Sequence, residues 1–249
     1  MDNSALLTKN NFSHNAYNYS SNANIQKYFS EKLVNFIKNY KNDLSGLNIL
    51  DLGCGTGFIS DQLQQKFSDN YNLFQLDLSL EMLKFNNSTN KICGDFNYLP
   101  FAYNSFDLII SSFSLQWCDD FNKILQNLKL ILKPSGILAI ALPTSESFKN
   151  LKNCPFQINI LPNHFEIINY LNQNNFNLIS QNCESYIENF NNSIDAIKSF
   201  KKIGANNLQE NKLINSFRDL KNFYLINYKF NLSFKLDWVI SYFIYLNHV

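Results

Sequence analysis

The chain has 249 residues, 45% of them apolar and 15% aromatic, with a formal net charge of +1. That is enough apolar material for one α/β domain with a sizeable core. The near-zero charge excludes a general nucleic-acid binder, which would carry a basic excess, and no apolar run reaches the length of a membrane span.

Cys54, Cys93, Cys118, Cys154 and Cys183 are scattered and never spaced as CxxC or CxxH. Reduced thiols without a metal are expected. The polar start "MDNSALLTKNNFSHNAYNYS" has no apolar signal core, so a cytoplasmic location is expected. Rich in Asn and Ser, it reads as loosely ordered. Ile25, Phe29, Leu33, Phe36 and Ile37 then recur at helical spacing.

"LNILDLG" is a short strand and "FISDQLQQKF" a helix. "YNLFQLDLS" is a second strand, with Asp77 near its end, and "EMLKFNN" a short helix. "KICGDF" is a third strand and "SFDLIISSFSLQW" a fourth; a helix through "FNKILQNLKLILK" and a turn into a fifth strand, "PSGILAIALPT", follow. Strict alternation with short connections across residues 46–143 predicts a parallel sheet with helices on both faces. The binding crevice is then expected at the carboxyl ends of the strands.

Beyond Thr144 the rhythm changes. A helix is predicted over residues 163–172 and a strand over 175–190. A helical insertion follows at about residues 191–228, and "NYKFNLSFKLDWVISYFIYLN" closes the sheet as an antiparallel strand. The whole is read as one unit, residues 1–249: residues 1–45 a helical lid, 46–143 the cofactor-binding core, and 144–249 the substrate half. The three histidines, His14, His164 and His248, read as exposed or capping residues.

"DLGCGTG" ends the first strand and opens a helix, so bare backbone is presented to a ligand. A dinucleotide fingerprint needs G-x-G-x-x-G. Phe58 and Ser60 stand where its last glycine would fall, and no P-loop Gly-Lys-Ser/Thr follows. Asp51, Asp77 and Asp95 sit at three successive strand ends.

This pattern resembles motif I of the class I S-adenosylmethionine methyltransferases. The resemblance implies a Rossmann-like α/β fold with a mostly parallel seven-stranded sheet. It implies a cofactor site of Asp51, Gly53, Cys54, Gly55, Gly57, Asp77, Leu78, Asp95 and Phe96. Asp77 would accept from both ribose hydroxyls and Asp95 from the adenine amino group, with Phe96 flanking the base. Asp51 would order the loop and meet the methionine ammonium.

"SSFSLQWCDD" lacks the proline pair of nucleic-acid amino methyltransferases. "LPFAYNSFDLIISSFSLQWCDDFNKIL", with Gln116, Trp117 and Cys118, is instead similar to the malonyl-acyl carrier protein O-methyltransferases of biotin synthesis. "FSHNAYNYSSNANIQ" matches that family's N-terminal pattern through Ala16, Tyr19, Ala23 and Gln26, and "SFKKIGANNL" matches its insertion. The resemblance spans about residues 12–246 and implies methylation of the carboxylate of a malonyl thioester on acyl carrier protein or coenzyme A. Such a carboxylate is ionised at pH 7 and needs no general base.

Tyr19 is expected to orient the acceptor, Trp117 to wall the pocket, and Gln26 to face the cofactor. Residues 191–249 carry eight Lys or Arg against four acids. Lys198, Lys201, Lys202 and Arg218, the chain's one arginine, could dock an acidic carrier. The family often has a basic residue before "LP"; here the place holds Asn159 or a neighbour. Two other readings stay open: a methyltransferase for another small acid or a quinone or lipid precursor, and a silent S-adenosylmethionine-binding assembly factor.

Overall fold

The computed structural model describes residues 3–68, 70–149, 162–205 and 234–247. Two helices, α1 (Asn3–Asn22) and α2 (Asn24–Tyr40), lead into β1 (Asn48–Leu52), α3 (Phe58–Lys66), β2 (Asn72–Asp77), α4 (Leu80–Lys84) and β3 (Lys91–Cys93). Then come β4 (Phe106–Ser112), α5 (Phe121–Ile131), β5 (Leu132–Pro143), α6 (His164–Gln173), β6 (Phe176–Phe190), α7 (Ser193–Lys202) and β7 (Phe234–Asn247).

The seven strands form one sheet in the order β3-β2-β1-β4-β5-β7-β6. β1 to β5 are mutually parallel, and β7 runs antiparallel to both neighbours. This is the expected class I methyltransferase architecture. The closing strand lies between β5 and β6, so β6 forms the sheet's edge. Chain order reverses between β1 and β4, which opens a crevice at their carboxyl ends.

Both faces of the sheet are covered. Ile49, Leu108 and Ile110 face a core shared with Phe29, Leu33 and Ile37 of α2. Their alternating neighbours Leu50 and Ile109 face a second core with Ile124, Leu125 and Leu128 of α5. A strand buried on both sides reads as an unbroken apolar run, as β1, β4 and β5 do. α5 starts where the Asp120 side chain accepts from the Lys123 N–H, and α6 starts at a reciprocal Asn163–Glu166 capping box.

Four features depart from the expectations. The N-terminal twenty residues form a helix, α1, which packs against α4 and α7. Its Asn and Ser give no apolar stripe, and it is held by single contacts: Ser13 Oγ lies 2.8 Å from Ser79 Oγ, and Ser20 Oγ donates to Thr56 Oγ1 at 3.0 Å. β4 stops at Ser112; Phe113 turns the chain at φ 55°, and Leu115–Trp117 form a 3-10 turn. The turn expected before β5 is absorbed as an irregularity where the β4–β5 register shifts between Phe106 and Leu108.

The fourth departure is His164, which neither caps nor points to solvent. Its ring stacks on Phe243 at 5.0 Å and bridges Ser241 (2.8 Å) and Gln181 (2.9 Å), tying α6 to β6 and β7. Of the predicted insertion, α7 and Ile203 to Ala205 are described; Cys154, Asn159, Arg218 and His248 lie outside the described residues.

Candidate active site

The crevice over β1, β2 and β4 is a cleft roofed by α1 and α2. The glycine loop forms its floor. Gly53 has φ 72°, and a Cβ there would fall 2.2 Å from the Cβ of Ser114, so the glycine makes room for the chain after β4. Gly55 has φ 53° and nothing nearer its Cβ position than Tyr19, at 3.9 Å, so its bare face opens to the cleft. Gly57 stands outside the lining, as the N-cap of α3.

Asp77 ties this loop down. Its carboxylate accepts from the Gly55 N–H and the Ser79 N–H, both at 2.8 Å. Burial raises its pKa, and the two backbone bonds pull it back. Asp51 does not take the loop-ordering bond expected of it. It is 1% exposed and accepts from Gln75 Nε2 at 3.1 Å. Burial pushes its carboxyl up to about 7, opposed by the Gln75 bond and reinforced by the Asp77 charge. Both strand ends carry an aspartate; which one reaches the loop depends on a spatial approach, Gly55 to Asp77, that spacing does not reveal.

Asp95 uses one oxygen to accept from the Asn97 backbone and side-chain amides, both at 2.8 Å. Leu78, Cys54 and Phe96 line the cleft. Gln26, 8% exposed, also lines it, and its carboxamide has no hydrogen-bond partner among the described residues. Tyr19 stacks on Phe58 at 5.9 Å, and burial beside Asp77 raises its pKa so that it stays a neutral phenol. Trp117 meets Phe12 edge-on at 5.5 Å.

The cleft thus gathers every expected cofactor residue except Gly57, together with Tyr19 and Trp117. It does not gather the lysines: Lys198, Lys201 and Lys202 are exposed on α7, and Lys198 stands 4.0 Å from Asp195. Phe12, Phe58, Ser30 and Ser112 line it too and went unread in the sequence. Ser30 lies one helical turn beyond Gln26 on the buried face of α2, a spacing that could have found it.

The titratable side chains narrow the chemistry. Burial, with the Asp51 and Asp77 charges, raises the Cys54 thiol, and burial near Asp119 and Asp120 pushes Cys118 up to about 12. Neither offers a thiolate at neutral pH. Among the described residues no three His, Cys, Asp or Glu side chains gather to hold a metal.

Residues 50–140 match a methyltransferase domain family. The malonyl-[acyl-carrier protein] O-methyltransferase of Buchnera aphidicola is 31% identical over 236 residues, covering 86% of this chain and 92% of that protein. The chain belongs to the malonyl-[acyl-carrier protein] O-methyltransferase family. The Calditerrivibrio nitroreducens member is 29% identical over 221 residues, 88% of this chain and 86% of its own length. In fold, the chain is similar to Haemonchus contortus phosphoethanolamine N-methyltransferase 2 in complex with S-adenosyl-L-methionine. That match has a TM-score of 0.54 and 19% identity, over 88% of this chain and 52% of the other. Membership makes the chain an O-methyltransferase. No helix among the described residues is long and apolar enough to cross a membrane.

Proposed function

We propose that this enzyme transfers a methyl group from S-adenosylmethionine to the free carboxylate of malonyl-acyl carrier protein, an early step of biotin synthesis in the cytoplasm. The observation that carries the reading is the convergence of Asp51, Asp77 and Asp95 on one cleft floored by the glycine loop. The cleft's chemistry fits the cofactor. Asp51 is a buried carboxylate held by an amide rather than a cation, and it suits the methionine ammonium. The open face of Gly55 admits close backbone approach, and Gln26 has a carboxamide to spare.

Asp77 keeps lone pairs for two ribose hydroxyls after its two backbone bonds. Asp95 takes the adenine amino group, with Phe96 and Leu78 against the base and ribose. Gly53, Cys54 and Gly55 supply backbone, and Gly57 starts the helix beneath them. When bound, the cofactor supplies a methyl on a positively charged sulfur, and that sulfur keeps the bonding pair as the acceptor oxygen takes the methyl carbon.

The residues have no proton to move, because the acceptor is ionised already. Their work is alignment and exclusion of water. Tyr19 orients the acceptor as a neutral donor, and Trp117 with Phe12 walls the cleft. Residues 1–45 serve as the lid, 46–143 as the cofactor core and 144–249 as the acceptor half. Exposed Lys198, Lys201 and Lys202, with Arg218, receive an acidic carrier.

The test is purified protein with labelled S-adenosylmethionine, offered malonyl-acyl carrier protein, malonyl-coenzyme A and a quinol precursor. A methyl ester on the malonyl carrier is expected. Methylation of the quinol alone, or cofactor binding with no transfer to any acceptor, would overturn the reading.

A further inference from the structure

The described charged groups lining the cleft are all acids: Asp51, Asp77, Asp95 and Asp119. They suit a cofactor's ammonium, hydroxyl and amino groups. An acceptor carboxylate must be held by something else, and strand order says where. A cofactor held by the tips of β3, β2 and β1 leaves β4, the next strand over, to face the acceptor.

The tip of β4 is built for a polar contact. Ser112 is its last residue, in register with Ala141 of β5. The next residue, Phe113, has φ 55°, a left-handed backbone that bulky residues rarely adopt, fixed by its N–H bond to the Ala141 carbonyl at 2.9 Å. Above the tip, Ser30 projects from α2 and is 3% exposed; its Oγ lies 3.3 Å from the Oγ of Ser112. The two hydroxyls have two protons, and their mutual bond uses one. Among the described residues the other has no acceptor, although both side chains line the cleft. Gln26, one turn earlier on α2, adds an amide without a protein partner on the same wall.

We propose that Ser30 and Ser112 form the seat of the acceptor carboxylate, giving up their long 3.3 Å mutual bond so that both hydroxyls donate to the oxygen that does not react. The inference rests on the function proposed above. A neutral hydroxyl suits this role. It fixes the carboxylate's direction and leaves more of the attacking oxygen's charge available than an ammonium would. The new bond joins the free carboxylate oxygen to the methyl carbon, the methyl–sulfur bond breaks with its pair left on sulfur, and no proton is transferred. The two serines are therefore positioning groups that touch the acceptor. They also explain how the cleft selects an acid acceptor with acids around it.

The test uses Ser30→Ala, Ser112→Ala, the double variant, and Ser112→Thr, which keeps the hydroxyl. Three quantities are read: kcat/KM for malonyl-acyl carrier protein, calorimetric affinity for malonyl-coenzyme A, and calorimetric affinity for S-adenosylmethionine. Each alanine is expected to lower kcat/KM and malonyl affinity about tenfold, and the pair more, as a lost hydrogen bond to a charged group does. Cofactor affinity should stay within about twofold, and the threonine variant should retain most of the activity. Alanine variants with wild-type kcat/KM would refute the seat while leaving the methyltransferase function standing. Loss of cofactor affinity in step with activity would refute it too, by moving the serines to the cofactor. Wild-type protein that methylates no malonyl thioester would overturn the functional reading, and this seat with it.

Discussion

Asp51 should be costly to the empty enzyme and useful to the loaded one, and replacing it with Asn separates the two. Its carboxyl is 1% exposed and is pushed from 3.8 to about 7, chiefly by burial. A rise of that size corresponds to about 4 kcal/mol between the ionised and neutral forms. The folded pKa lies above the unfolded one, so the folded state holds a proton that the unfolded chain has lost. Stability of the ligand-free enzyme therefore falls as pH rises from about 4 to about 7 and levels off above. Asp51→Asn keeps the size and a carbonyl to accept from Gln75 Nε2, and it removes the charge. Chemical denaturation at pH 8 should find the ligand-free variant more stable by up to about 4 kcal/mol, an increase on the order of 10 °C in Tm for a chain of this length. At pH 4 the two proteins should melt alike. Calorimetry at pH 8 should give the opposite order for S-adenosylmethionine, with affinity lower by tenfold or more once the ammonium loses its counter-charge. A variant less stable than wild type at pH 8, with unchanged cofactor affinity, would show that Asp51 is a structural carboxylate.

Asp77→Ala removes the acceptor of the Gly55 and Ser79 N–H groups as well as the ribose partner. Each loss costs about 1–3 kcal/mol, so cofactor affinity should fall at least tenfold, and unchanged calorimetric affinity would take Asp77 out of the site. Gly204→Ala should loosen α1, because a Cβ there would fall 2.8 Å from the Asn11 carbonyl oxygen and 3.0 Å from the Phe12 Cα, at φ 75°. A loss of about 1 kcal/mol or more, with faster amide exchange around Phe12, is expected, and wild-type melting and exchange would disprove the contact's importance. Reversing Lys198, Lys201 and Lys202 to Glu should raise KM for malonyl-acyl carrier protein and leave malonyl-coenzyme A unaffected. An equal effect on both acceptors would place carrier docking elsewhere.

The half that carries the glycine loop was legible because its signals are local. Strands buried on both faces write themselves as apolar runs, so β1, β4 and β5 could be read directly. The tight loop demands glycine, and the aspartates fall at strand ends where the chain must turn. α6, β6 and the antiparallel β7 were legible too; the N-terminal helix was not, because its determinants are contacts between distant segments. α1 has little apolar stripe, so nothing in its composition separates it from coil. It is ordered by Gly204 against Asn11, Ser20 against Thr56, and Phe12 against Trp117, pairs far apart in sequence.

The stretch "SFDLIISSFSLQW" makes the same point at one residue. Its alternation continues past Ser112, so the sequence reads as an unbroken strand to Trp117. The strand ends because Phe113 adopts a left-handed backbone that its side chain disfavours, and the cost is about 1–2 kcal/mol for a non-glycine residue. Phe113 is 8% exposed, packed 6.0 Å from Phe29 and 6.1 Å from Trp238, so two long-range ring contacts hold it there. The turn they enforce brings Ser112 to the cleft and sends Ser114 beneath Gly53, where its hydroxyl donates to the Leu52 carbonyl at 2.8 Å. One strained residue thus joins the legible glycine loop to the Ser112 side of the cleft, and a substitution at Phe113 should disturb both.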